Sequence, residues 1–172
     1  MHTFTENLPR RSLLVILPAL LTACSGADLL NATVATDTYR RSENLAYGLH
    51  ARQRLDVYQP GAATGQAPMV VFFYGGSWSS GERRDYRFVG EALASRGIVA
   101  VVADYRLSPA FRYPAFVEDS ASAVRWAFDH AAEFSADARR IVVMGHSAGA
   151  YNAAMIALDP RWLAAESLAP SR

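Results

Sequence analysis

Cysteine is all but missing from this 172-residue chain: Cys24 stands alone, and an internal disulfide is excluded. An excess of one charge is missing too. Seventeen basic and 16 acidic side chains leave a formal net charge of +1, with the arginine pairs scattered rather than gathered into a patch. This balance gives no footing for nucleic acid or for a strongly acidic substrate. No apolar run reaches the roughly 20 residues that cross a bilayer, and no repeat or low-complexity tract breaks the pattern. No His, Cys or carboxylate cluster has ligand spacing, so neither a metal nor another cofactor is expected. What is there, 51% hydrophobic and 19% charged residues, is the composition of one ordinary globular domain.

The N-terminus carries a different signal. Arg10 and Arg11 precede the short apolar run Leu13 to Leu21, which reads as a signal peptide over residues 1–23. Leu21-Thr22-Ala23-Cys24 resembles the lipobox of bacterial lipoprotein precursors. The resemblance implies that the Cys24 thiol receives a diacylglycerol; the plainer reading of a lone cysteine is a small buried thiol. Lipidation would anchor the protein to a membrane surface of a bacterial cell envelope, facing the periplasm or the exterior, without spanning it. Pro9-Arg10-Arg11-Ser12-Leu13-Leu14 also loosely resembles a twin-arginine export signal. Residues 24–39, small and polar, are expected to be a tether, and residues 40–172 the folded domain.

Within the domain, Leu45 to Tyr58 reads as antiparallel opening strands that stop at Pro60. The runs Met69 to Tyr74, Ile98 to Ala103 and Ile141 to Met144 are apolar throughout, which suits central parallel strands covered on both faces. Tyr86 to Arg96 and Phe116 to Phe134 carry apolar residues at helical spacing between them. The alternation is βαβαβα, an α/β fold with a mostly parallel sheet.

Gly145-His146-Ser147-Ala148-Gly149 follows the last of these strands and opens a helix-forming stretch, Ala148 to Leu158. A serine at a strained strand-to-helix turn needs small residues two before and two after it, so that strand and helix backbones can approach. Gly145 and Gly149 supply them, and the free N–H groups of the helix N-terminus favour negative charge beside Ser147. Gly75-Gly76-Ser77-Trp78 follows the Met69 to Tyr74 strand as a second glycine turn. It has G-x-x-x-x-G spacing to Gly81, but Glu82 stands where a phosphate loop needs lysine.

With Arg52-Gln53-Arg54-Leu55-Asp56-Val57-Tyr58 and Asp104-Tyr105-Arg106-Leu107-Ser108-Pro109, these motifs make the chain resemble the α/β-hydrolase superfamily from about Tyr47 onward. It is most similar to bacterial lipoprotein esterases of the carboxylesterase and feruloyl-esterase-like type. The resemblance implies a three-layer α/β sandwich. It implies Ser147 as nucleophile, and an oxyanion hole from the loop Gly75, Gly76 and Ser77 with the Ala148 N–H. Tyr74 stands where such esterases carry the histidine of a His-Gly-Gly loop. Trp78 either walls the substrate pocket or packs the loop onto the domain. His146 is expected as a filler packed under the elbow.

A serine needs a base, and in this superfamily the acid and then the histidine follow it. No histidine follows Ser147; His2, His50, His130 and His146 lie before it, and only Asp159 and Glu166 are acidic beyond it. Asp104 and Asp119 read as structural carboxylates. The expectation is therefore an N-terminal part of a longer hydrolase, cut after the nucleophile helix and nearly inactive alone, with Ile141 to Met144 left as an uncovered sheet edge. The leading reading is a lipid-anchored serine hydrolase cleaving small-molecule carboxylic esters through an acyl-enzyme. The alternatives are an amide or arylformamide hydrolase of the same fold, and a non-catalytic lipid-anchored binding protein.

Overall fold

The computed structural model describes residues 26–62 and 66–169. The expected signal peptide and Cys24 lie outside the described residues. A five-stranded sheet organises the domain: β1 (Tyr39–Ala46), β2 (Arg54–Pro60), β3 (Ala67–Phe73), β4 (Val99–Ala103) and β5 (Ala136–Gly145), in the order β1-β2-β4-β3-β5. β1 and β2 run antiparallel to their neighbours, whereas β4, β3 and β5 are mutually parallel. The mostly parallel sheet is the one the apolar runs imply, and the layered α/β arrangement is the one the resemblance implies.

Register follows from burial. Met69, Val71 and Phe73 pair with Val99, Val101 and Ala103 on one side and with Ile141, Val143 and Gly145 on the other. Every residue of β4, and β3 from Met69 onward, is buried. Sealing a side chain such as Phe72 or Phe73 contributes about 2 kcal/mol, and it holds the ends of β3 and β5 rigidly side by side.

The helices are α2 (Arg87–Ala94), α3 (Ala115–His130), α4 (Ala148–Leu158) and the short α5 (Arg161–Ala165), preceded by α1 (Gly26–Ala32). Helix α2 lies against β2 and β4, while α3 and α4 pack on each other and on β3 and β5. In α4 the buried residues Ala148, Gly149, Asn152, Ala153 and Ile156 form one stripe at helical spacing. Single 3-10 turns, Arg83–Tyr86 and Ala131–Phe134, lead into α2 and out of α3.

Several boundaries differ from those read in the sequence: β1 begins at Tyr39 rather than Leu45 and β3 at Ala67 rather than Met69. β5 begins at Ala136 rather than at Ile141, because Ala67 pairs with Ala136 across an irregular register that admits the polar residues Asp137, Arg139 and Arg140. The stretch 24–39, expected as a tether, contains α1, which is docked. The Asn31 side chain donates to Arg84 O (3.1 Å) and Asp85 O (3.0 Å) and accepts from the Phe88 N–H (3.0 Å). One amide thereby satisfies carbonyls of the 3-10 turn and a free donor at the start of α2.

Candidate active site

β3 and β5 are parallel neighbours, so the turns that leave their C-terminal ends emerge together. The β5 turn puts Ser147 at φ 52° and ψ −117°, followed at once by helix α4. A non-glycine residue in such a conformation costs about 1–3 kcal/mol and persists only where its surroundings enforce it. Here the enforcement is packing. A Cβ on Gly145 would lie 2.2 Å from Gly149 O, and one on Gly149 would lie 2.1 Å from Phe73 O. Strand and helix approach as closely as backbones can, and His146 N–H donates to Phe73 O at 3.0 Å. The Ser147 side chain is left exposed at the tip.

The β3 turn meets it. A Cβ built on Gly75 would be 3.0 Å from Ser147 Cβ and 2.8 Å from His146 Nδ1, so the loop backbone abuts the elbow. Beyond it the chain adopts left-handed values at Gly76 (φ 119°), Ser77 (φ 53°) and Trp78 (φ 55°). Gly76 O accepts from the N–H groups of Ser79 (2.9 Å) and Ser80 (3.1 Å). The N–H groups of Gly76 and Ser77 are not spent on protein acceptors among the described residues. The Ala148 N–H, in the first turn of α4, is one of the donors a helix leaves open. Gly75 and Ser147 thus meet; Gly76 and Ser77 follow Gly75 in the loop, and Ala148 follows Ser147 at the start of α4.

Two side-chain clasps hold the loop; packing of Trp78 onto the domain was one of its two expected roles, whereas sequence reasoning missed its partner Asn152 and the clasp made by Arg52. At its neck, Arg52 from the β1–β2 connection donates through Nη2 to the Tyr74 hydroxyl and to Gly81 O (2.9 Å), and through Nε to Tyr105 O (2.8 Å). Tyr105 in turn donates its hydroxyl proton to Tyr74 O at 2.6 Å, and the two rings stack at 4.7 Å. Burial, with the Asp104 charge behind it, pushes the Tyr74 hydroxyl well above the ordinary phenol range despite Arg52, so it is a neutral partner. At its tip, Trp78 Nε1 donates to Asn152 Oδ1 (3.0 Å), and the indole stacks on Phe116 at 5.1 Å and meets Tyr151 edge-on at 5.4 Å. Arg52 stood in a quoted motif without a role. A signal for Asn152 was available: it is a polar residue on the apolar stripe of α4.

Other expected residues lie elsewhere. His146 is not packed under the elbow: the imidazole is exposed, lies against Gly75 and has Nδ1 2.9 Å from the Tyr86 hydroxyl. His130 stacks on Trp126 at 4.2 Å, and His50 lies edge-on to Phe111. Asp119 is fully buried and paired with Arg106 (2.7 Å), and Asp104 is paired with Arg83. Asp159 pairs with Arg161 at 2.6 Å, and Glu166 accepts from Ser122 at 2.6 Å. Among the described residues no histidine or carboxylate hydrogen-bonds to Ser147.

Known proteins repeat this architecture. The family described as BD-FAE matches residues 55–165. The chain is 39% identical over 115 residues to a probable isoprenylcysteine alpha-carbonyl methylesterase, ICMEL1, of Arabidopsis thaliana, covering 67% of this chain and 24% of that protein. It is 41% identical over 103 residues to carboxylesterase NlhH of Mycobacterium tuberculosis, covering 59% of this chain and 32% of that one. Among solved structures, the native form of the thermophilic esterase Est2 from Thermogutta terrifontis superposes with a TM-score of 0.63 at 34% identity, over 76% of this chain and 47% of that one. Esterase B from Lactobacillus rhamnosis superposes with a TM-score of 0.74 at 20% identity, over 94% and 54%, a likeness of fold. The chain therefore spans about a quarter to a third of those curated relatives and about half of those solved ones.

Proposed function

The chain belongs to the BD-FAE family, and from that premise we propose that it is a serine hydrolase that cleaves small-molecule carboxylic esters through an acyl-enzyme. The observation that carries the reading is the meeting of an exposed Ser147, held in a strained strand-to-helix turn, with the Gly75 turn that follows β3. In the proposed reaction Ser147 Oγ attacks the ester carbonyl carbon and gives up its proton to a base. The carbonyl oxygen, now negative, takes hydrogen bonds from the N–H groups of Gly76, Ser77 and Ala148. Collapse expels the alcohol, which is reprotonated, and water then releases the acid. No residue of the 172 is assigned as the base.

The activities for which these relatives are named, methylesterase, carboxylesterase and esterase, support ester over amide chemistry. We also propose that Cys24 carries the lipid its sequence context implies, so that the domain works at a membrane surface of the cell envelope. A fluorophosphonate probe tests the catalytic reading. The full-length protein is expected to be labelled and its Ser147→Ala variant to stay unlabelled. A folded full-length protein that takes no label leaves the binding-protein alternative in its place. Rates on p-nitrophenyl esters of increasing acyl length, set against matching anilides, separate ester from amide preference and report the pocket's size.

A further inference from the structure

An oxyanion site assembled from two separate turns works only if the turns keep their mutual placement to a fraction of an ångström. Two donors, from Gly76 and Ser77, ride on the β3 loop; the third, from Ala148, rides on α4. We propose that Asn152 is the positioning residue that locks these two halves together, acting through Trp78; the inference rests on the esterase reading above. Asn152 lies one turn beyond Ala148 on the same helix and is fully buried, and Trp78 is the residue next to Ser77. The 3.0 Å bond between them therefore ties the tip of the donor loop to the helix that bears the nucleophile.

The geometry of the amide supports a dedicated role. An indole N–H only donates, so the Asn152 oxygen must face it. The amide nitrogen is turned the other way by Ser120 Oγ (3.1 Å) and Phe116 O (3.3 Å), and Ser120 donates to the same Phe116 carbonyl at 2.7 Å. Asn152 is thus fixed from α3 before it receives Trp78. Trp78 is fixed independently of its side chain by Ser108, whose N–H donates to Trp78 O at 2.7 Å. An indole held by its ring, its nitrogen and its carbonyl is a mount for the loop rather than a wall that substrate reshapes.

The two roles left open for Trp78 differ in kinetics. A pocket wall changes KM, whereas a mount for transition-state donors changes kcat. The test measures kcat and KM on p-nitrophenyl acetate with full-length protein, alongside melting temperature, for Trp78→Phe, Asn152→Ala and the double variant, with Ser147→Ala as control. Removing one oxyanion donor costs about 100- to 1,000-fold in kcat. Loosening two of them is expected to lower kcat about 10- to 100-fold in each single variant, with KM within about threefold. The double variant is expected to be no slower than the worse single, because both changes cut one connection. Ser120→Ala, which frees the amide without removing it, is expected to lose about threefold in kcat, and with Trp78→Phe it decides the matter should Asn152→Ala not fold. Single variants that keep kcat within twofold, losses that multiply in the double variant, or a rise in KM at constant kcat overturn the proposal while leaving the esterase reading intact. Full activity in Ser147→Ala overturns both.

Discussion

The two edges of the sheet are finished in opposite ways. β1 is polar along its length, with Arg40 and Glu43 exposed, and its pairing with β2 is broken by an irregularity between Ser42 and Leu45, where Asn44 takes a φ of 58°. Charges and a bulge are how an edge resists further pairing. Behind it Asp56, only 1% exposed, binds Arg41 and Arg83 at 2.8 Å each, and Arg83 continues to Asp104. β5 ends the described sheet on the other side with Ile-Val-Val-Met, leaving Val142 57% and Met144 44% exposed. An apolar groove of about 430 Å³ runs beside it, lined by Val124, Ile141, Val143, Ile156, Leu163 and Leu168. One border has the chemistry of a surface, the other that of a strand flanked on both sides. Strand composition, more than strand position, distinguishes the two.

The largest expected effect breaks the polar border. Asp56→Asn leaves Arg41 and Arg83 without their shared carboxylate and should lower stability by about 3–5 kcal/mol in urea unfolding. Burial alone would raise the Asp56 carboxyl, but hydrogen bonds from Arg41, the Asn44 N–H and Arg83 hold it below the usual carboxylate range. A depressed folded value means that this stabilisation is present above an unfolded pKa of about 3.9 and fades as pH falls through the lower folded value. The variant should lack that part of the acid-induced loss, which unfolding midpoints measured between pH 5 and pH 2 will show.

The apolar border should respond in association rather than in stability. The 172-residue chain is expected to sediment with a concentration-dependent mass, and Val142→Lys with Met144→Lys to hold it monomeric, with unfolding free energy changed by about 1 kcal/mol or less. Arg40→Val with Glu43→Val sharpens the contrast by giving β1 the apolar character of β5; it should add self-association that the β5 lysines do not suppress. Tyr74→Phe is a smaller perturbation. It removes one of the Arg52 acceptors while Gly81 O and Tyr105 O remain, so a loss of about 1 kcal/mol in stability is expected. Asn31→Ala should cost least, about 0.5 kcal/mol, and show as faster amide exchange over Gly26–Ala32.

The order of elements was legible because parallel strands buried on both faces leave unbroken apolar runs, as in Met69 to Phe73 and Val99 to Ala103. The backbone requirement at the elbow was equally plain, since Gly145 and Gly149 have neighbours that admit no Cβ. The clasps were not, because they join distant positions: Arg52 to Tyr74, Trp78 to Asn152, Asn31 to Arg84. Nothing in local periodicity records which polar side chain will find which carbonyl. The place of His146 was hidden for the same reason: its neighbours are Gly75 and Tyr86, 71 and 60 residues earlier in the chain. Helix α1 was hidden by its composition, since its stability comes from Asn31 gripping another element rather than from its own seven residues.

That grip has a geometric outcome. Asn31 holds the main chain at residues 84 and 85, and the adjoining Tyr86 reaches the imidazole next to Ser147. Helix α1 is thereby linked to the elbow through one 3-10 turn and a single tyrosine, so a change at residue 31 has a path to residue 147.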